Sequence, residues 1–389
     1  MRVMQLTADC PWPAVSGADI RNAILAAAPG VTSLLAVGLT APSGGSTPAA
    51  YRRVSCFGDR NPWRCIDPAV PICLRFPESA LAAIDAVVAD FRPDVVVAEG
   101  VAWRDVIMRL HGRGVPTAID MHNVESRFFA EQIAARPWWR RLVGGRMRAG
   151  LVSACERADA AMSRLADQTW LCSAADAAVL RSLGGRADAV IRNPIPDESV
   201  LDLPLDADRY ANPMPLFIGH LGYGPNVAAV AELAGPVVAE LARCGLRVQL
   251  TVAGRGPRRG IERLAAAAAI RLVANPVSTV ELSQRHGYTV LPIRQGGGTR
   301  IKAVEALAAG LVVIATGKAV EGLGLVPGVH YIAAETPAEM AGALARLVER
   351  PVEAVGVAAA GRQFAIEHHS RRAVLATLGE ALAILTRAR

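Results

Sequence analysis

The sequence predicts an α/β protein of two Rossmann-like, doubly wound parallel-sheet domains facing across a cleft, and three observations carry that prediction. Short apolar runs alternate with Ala- and Leu-rich stretches of helical period almost from end to end. The chain has 389 residues, more than one core comfortably serves, which suits two domains. Between two strand–helix series lies Asp197–Pro215, rich in Pro and Asp and without helical period, the composition of an interdomain segment. Repeated strand–helix units imply parallel strands with helices on both faces. Ligands then bind beyond the carboxyl ends of the strands, where helix N-termini point. Two such sheets facing each other suit the joining of two substrates.

The expected strands of the first domain, residues 1–200, are Val3–Leu6, Ser33–Val37, Val95–Ala98, Thr117–Asp120, Trp170–Cys172 and Val190–Ile191. Those of the second, residues 201–372, are Leu216–Ile218, Gln249–Ala253, Thr289–Pro292 and Leu311–Ala315. Helical period marks Pro77–Phe91, Val227–Cys244 and Ala338–Glu349. Ser43–Asp67, rich in Gly, Ser, Pro and Arg, reads as an irregular excursion. A final helical stretch, Ala373–Ala388, follows the last unit and is expected to pack back on the first domain.

Composition excludes several classes. Hydrophobic residues make up 52% and charged ones 20%, which marks a globular chain rather than a disordered one. Aromatics are only 5%, too few for a nucleic-acid reader built on base stacking. A net charge of +7 fits several anionic partners and selects none of them. Seven cysteines lie scattered, without a CxxC pair, which argues against a disulfide framework or a zinc site. No signal segment opens the chain, and no apolar run reaches the roughly 20 residues that span a bilayer. The expected setting is the reducing cytoplasm.

The most informative segment is Leu291–Gly310, LPIRQGGGTRIKAVEALAAG. A strand runs into a three-glycine turn, and a helix begins near Thr299. Glycines let backbone amides approach a phosphate, and the helix start adds free N–H groups and partial positive charge. Lys302 and Glu305, three residues apart, share one helix face, with Lys302 nearer the phosphate end. The carboxylate one turn deeper can accept hydrogen bonds from the two hydroxyls of a ribose. The bland alternative is a glycine turn followed by a helix with an i,i+3 ion pair. The segment lacks the order of both the P-loop and the dinucleotide fingerprint, so neither a nucleotide hydrolase nor a simple dehydrogenase is supported.

The run PIRQGGGTRIKAVEALAAGLVVIAT, with AVEGL after it, resembles the donor-binding signature of family 4 glycosyltransferases, which have the two-domain GT-B fold. GHLGYGPN (Gly219–Asn226) resembles the opening loop of that family's second domain, and VAGRGP (Val252–Pro257) its following strand-turn. DMHNVES (Asp120–Ser126) and, more weakly, CPWPAVSGADIR (Cys10–Arg21) resemble loops of its first domain. The resemblance implies that Glu305 holds the donor ribose, that Gly298 and Thr299 offer amides to the diphosphate, and that Lys302 or Arg300 neutralises it. Helix phase favours Lys302 over Arg300. Gly297 stands where many members of the family carry a first glutamate, and Leu311–Val312 stand near a usual proline.

Further candidates come from the loops after strands. His122 is expected at the donor sugar or the reacting centre, against the alternative of a local hydrogen-bonding residue. Glu125 and Asn123 are read as caps of the next helix. Gly17 is expected to approach the diphosphate or the acceptor, with a ligand-free tight turn the alternative, and Gly219 is placed near the donor. Arg294 is a further donor-site candidate, as is Glu321, whose alternative is a capping acid. Asn193–Pro194 marks the end of the first domain in the family.

Arg136–Arg148, RPWWRRLVGGRMR, places Trp beside Arg as a helix at an anionic membrane surface does, or else is a solvated helix with inward tryptophans. The family resemblance implies retaining transfer from a nucleotide-diphosphate sugar, by default a UDP-sugar, without a metal or other cofactor. The acceptor would be a saccharide or a lipid-linked one, in surface glycan synthesis. A sugar-nucleotide epimerase of the same fold and a non-catalytic nucleotide-sugar binder are the alternatives.

Overall fold

The computed structural model describes every residue except 15, 41–49, 55–65, 135–144, 269, 297–300 and 388–389. Among the described residues two compact units divide the chain: Met1–Pro194 together with the last helix from Arg371, and Ile195–Gly296 together with residues 301–370.

The first unit contains β1 (Arg2–Thr7), β2 (Ser33–Gly38), β3 (Tyr51–Arg53), β4 (Ile66–Asp67), β5 (Val70–Leu74), β6 (Val95–Glu99), β7 (Thr117–Met121), β8 (Gln168–Leu171) and β9 (Ala189–Val190). Seven of them form a parallel sheet in the order β3-β2-β1-β6-β7-β8-β9, while β4 and β5 make a small antiparallel pair. Alternate residues of the central strands face opposite layers. Met4, Leu6, Val96, Ala98 and Ile119 pack against Ile84, Ile107 and Leu110 on one side. Val3, Val95, Val97 and Ala118 pack on the other side with Ile24, Leu25, Trp170, Leu378 and Leu382. Leu378 and Leu382 lie on the last helix, Arg371–Arg387, which thereby completes the core of the first unit.

The second unit contains β10 (Pro215–Ile218), β11 (Thr251–Gly254), β12 (Arg271–Ala274), β13 (Tyr288–Leu291), β14 (Val312–Ala315) and β15 (Ile332–Ala333). They form a parallel sheet in the order β12-β11-β10-β13-β14-β15. Strand order reverses direction beside β1 in the first sheet and beside β10 in the second. At such a switch point the loops after neighbouring strands leave in opposite directions and open a crevice.

Several expected boundaries move, for local reasons. The segment Asp197–Pro215 is not without helix: it holds the 3₁₀ turn Glu198–Asp202, capped by Asp197, and the short helix Ala207–Ala211. The excursion Ser43–Asp67 includes the edge strand β3 and the start of the β4–β5 pair. The stretch Val227–Cys244 is interrupted: helix Gly224–Glu232 passes through a π-turn at Leu233–Val237 before helix Val238–Arg243. Pro236, inside that turn, has no N–H for the α-helical ladder. Among the described residues no helix is long and apolar enough to cross a membrane.

Candidate functional site

In the second unit Gly219 lies in the loop after β10, and Lys302 and Glu305 lie on the helix after β13, the two strands that flank the switch point. Gly219 follows β10, and its N–H donates to the Ala253 carbonyl at 3.1 Å. A Cβ on Gly219 would lie 2.8 Å from Asn226 Nδ2 and 3.3 Å from Lys302 Nζ. Glycine there is what lets these two side chains meet. Asn226, in the first turn of helix Gly224–Glu232, donates through Nδ2 to the His220 carbonyl at 2.9 Å and accepts from Lys302 Nζ through Oδ1. Lys302 projects from the start of helix Ile301–Ala308, and its ammonium lies 5.1 Å from the centre of the Phe217 ring, an attractive cation–π distance.

One turn along the same helix, Glu305 accepts a hydrogen bond of 2.6 Å from the Thr279 hydroxyl. Burial raises its carboxyl above the ordinary value, Thr279 opposes this, and Asp197 adds to the rise. Lys302 and Glu305 line one small cavity with Leu216, Ile218 and Thr289. Each of the two side chains has a partner from another element, Lys302 with Asn226 and Glu305 with Thr279.

Two further candidates of this unit, Arg294 and Glu321, have ion-pair partners of their own. The guanidinium of Arg294 is held by Glu232 at 2.7 Å and by the Glu335 carbonyl at 2.6 Å, chiefly through Glu232 raising its pKa. It ties two surface segments together. Glu321 caps the turn Gly317–Val320 after β14 and pairs with Lys318 at 2.6 Å. Gly297, Gly298, Thr299 and Arg300 lie outside the described residues.

In the first unit the candidates gather after β1, β6 and β7. Gly17 opens helix Gly17–Ile24, whose start is closed by a reciprocal capping box between Ser16 and Asp19. One turn on, Arg21 forks onto Asp120 at 2.9 and 2.5 Å and reaches the Ile191 carbonyl at 2.6 Å and Asn193 Oδ1 at 3.1 Å. His122 follows β7 with Nδ1 3.5 Å from Glu99 and Nε2 3.8 Å from Asp120. Its Nε2 is buried and has no hydrogen-bond partner among the described residues. Glu99, the last residue of β6, also accepts from the Ala8 N–H at 3.1 Å, so it joins the loop after β1 to His122.

Glu125 is the first residue of helix Glu125–Ala134. Burial first, then Asp159 and Glu99, push its carboxyl up to about 8, although Asn123 hydrogen-bonds to it. Asp159 is fully buried, is raised to about 6 chiefly by that burial, and accepts from the Ser126 N–H at 2.8 Å. Of Arg136–Arg148, residues 136–144 lie outside the described residues, while Met147 and Arg148 belong to helix Gly145–Leu165.

Four contributors escaped the sequence reading as site residues: Arg21, Glu99, Asn226 and Thr279. Two of them sit inside quoted loop motifs, and the signal that finds them is the position just past a strand end or at a helix start. Glu99 and Thr279 stand in no motif.

Residues 212–350 match the family model described as glycosyl transferases group 1. None of the curated protein sequences matches the chain. Among solved structures it is similar to HepE from Anabaena in complex with UDP, with a TM-score of 0.70, 13% identity, and 99% of this chain and 100% of that one covered. It is similar to sucrose-phosphate synthase from Thermosynechococcus elongatus, with a TM-score of 0.69, 15% identity and all of both chains covered. A glycosyltransferase from Rickettsia africae aligns with a TM-score of 0.65, 12% identity and coverage of 99% and 98%. At such identities the likeness is one of fold, the two-sheet GT-B arrangement.

Proposed function

We propose that this chain, whose residues 212–350 match the model of glycosyl transferases group 1 and whose fold is GT-B, moves a sugar from a UDP-sugar to a saccharide or lipid-linked acceptor, with retention of configuration. The observation that carries the reading is the helix Ile301–Ala308, which presents Lys302 and Glu305 one turn apart beside the switch point of the second sheet. Lys302 and the helix start take the diphosphate; Glu305 takes the ribose hydroxyls in place of Thr279. The HepE structures with UDP, with UDP and glucose, and with UDP-glucose support uridine as the base.

Departure of the diphosphate breaks the sugar C1–O bond, and the electron pair leaves with the phosphate oxygen. Lys302 stabilises that developing charge. The acceptor hydroxyl attacks C1 on the face from which the diphosphate leaves, and its proton passes to the leaving phosphate. No side-chain nucleophile and no metal or other cofactor is required. His122 serves the transferred sugar with its unpartnered Nε2, while Gly17 and Gly219 leave room for ligand.

The test is release of UDP from UDP-sugars by the full chain, with and without saccharide acceptors. Transfer predicts slow release that acceptor accelerates, unaffected by EDTA, and about tenfold or more slower in Lys302→Ala. Full turnover by Lys302→Ala refutes the assignment, and release of epimer or free sugar without any acceptor effect favours the epimerase reading. We further place Arg136–Arg148 at an anionic membrane surface, on the inner face of the cytoplasmic membrane. Arg136→Glu with Arg140→Glu is expected to weaken binding to anionic liposomes; unchanged binding removes this contact.

A further inference from the structure

We infer that Glu99 is the positioning residue of His122: its carboxylate takes the Nδ1 side of the ring and so leaves Nε2 as the bare nitrogen that meets a substrate hydroxyl. The inference rests on the reading of His122 as a partner of the transferred sugar.

Glu99 and Asp120 are partners in register at the ends of β6 and β7, and the Gly100 N–H ties those ends together by donating to the Asp120 carbonyl at 3.0 Å. His122, two residues beyond Asp120, thus has a carboxylate beside each ring nitrogen: Glu99 lies 3.5 Å from Nδ1 and Asp120 3.8 Å from Nε2. The two acids are not equivalent. Both oxygens of Asp120 accept from the guanidinium of Arg21, at 2.5, 2.9 and 3.1 Å, and 3.8 Å is beyond hydrogen-bond reach. Glu99 divides its oxygens between two neighbours. Oε2 accepts from the Ala8 N–H at 3.1 Å, while Oε1 faces His122 Nδ1. Catalytic contacts of that length commonly tighten when substrate arrives.

An ionised carboxylate only accepts, so the ring nitrogen turned toward it carries the hydrogen. In the neutral imidazole Nε2 then keeps its lone pair. It is buried and lacks a hydrogen-bond partner among the described residues, a state that a donating sugar hydroxyl relieves. The anchor on Ala8 also fixes the carboxylate, since turning it away from the ring would leave that N–H without its acceptor. Glu99→Gln separates charge and tautomer from shape. Glutamine has one acceptor oxygen, and the Ala8 N–H claims it, which sets the NH₂ against Nδ1. A donor at Nδ1 forces the ring hydrogen to Nε2, so His122 keeps its place while its donor and acceptor exchange.

The experiment is ¹⁵N NMR of the histidine rings in the full chain at about pH 8, where imidazole is ordinarily neutral, with His122 assigned through His122→Ala. The natural chain is expected to show His122 in the Nδ1–H form and Glu99→Gln to show it in the Nε2–H form. The Nε2–H form or an imidazolium in the natural chain overturns the inference, as does a tautomer that Glu99→Gln leaves unchanged. Release of UDP from UDP-glucose gives the second readout. Glu99→Gln is expected to lower kcat/KM about tenfold in the natural background and less than about twofold in a His122→Ala background, with UDP affinity changed less than about twofold. Equal loss in both backgrounds overturns the inference too. Should Glu99→Gln fail to melt cooperatively, the tautomer in the natural chain decides. Full turnover by His122→Ala would instead sink the underlying reading of His122, and the tautomer would still report whether Glu99 sets the ring.

Discussion

Glu125 shows how far a single side chain's surroundings can shift its chemistry. Its carboxyl, ordinarily near 4.5, is pushed to about 8 by burial and by two neighbouring acids. Between those values the folded chain holds a proton that the unfolded chain has released, so this group's contribution to stability falls as pH rises through that window. Above about 8 the folded state carries the charge at full cost. Glu125→Gln should therefore stabilise the chain above pH 8, by up to a few kcal/mol, and make little difference near pH 4. Urea unfolding at the two pH values checks this; an equal effect at both would show that the carboxyl titrates normally. Of the site itself, Lys302 and Glu305 were legible from spacing on one helix. Their partners Asn226 and Thr279 were not, because they lie 76 and 26 residues away and only the fold brings them near. Glu99 ends a strand as a lone acid, a pattern with no local signature.

Among the elements, the buried central strands were the easiest to read. Val95–Ala98 and Val312–Ala315 are apolar throughout because both of their faces are covered. Edge strands carry weaker signals: β3 has two exposed arginines, and β12 begins and ends on exposed residues. The interrupted helix before β11 also escaped, since one proline changes its winding without stopping it. The pair β10–β11 is where element packing bears most directly on the site. Gly254, which ends β11, has no room for a side chain: a Cβ would fall 1.7 Å from the Gly219 carbonyl oxygen. That atom is backbone, so relief requires the loop bearing Gly219 to move. Gly254→Ala is expected to cost about 2–4 kcal/mol of stability and to weaken nucleotide binding. Denaturant unfolding checks it, and a change under about 0.5 kcal/mol would mean the two loops do not constrain each other.

At the scale of the whole molecule, the chain repeats one plan twice. Each unit is a parallel sheet whose strand order reverses beside its first strand, and each gathers its polar side chains in the loops near that reversal. The first holds His122, Glu99 and Asp120; the second holds Lys302, Asn226 and Glu305. Strand–helix alternation made the plan visible in the sequence, whereas the order of strands, and with it the position of each reversal, is set by packing between distant segments. All of this turns on a nucleotide lying on the helix Ile301–Ala308. A crystal structure of the full chain with UDP tests it most directly. The diphosphate is expected within hydrogen-bond reach of Lys302 Nζ and the ribose hydroxyls on Glu305, with the Thr279 contact displaced. UDP bound in the first unit, or in the second with neither Lys302 nor Glu305 touching it, would overturn this donor site.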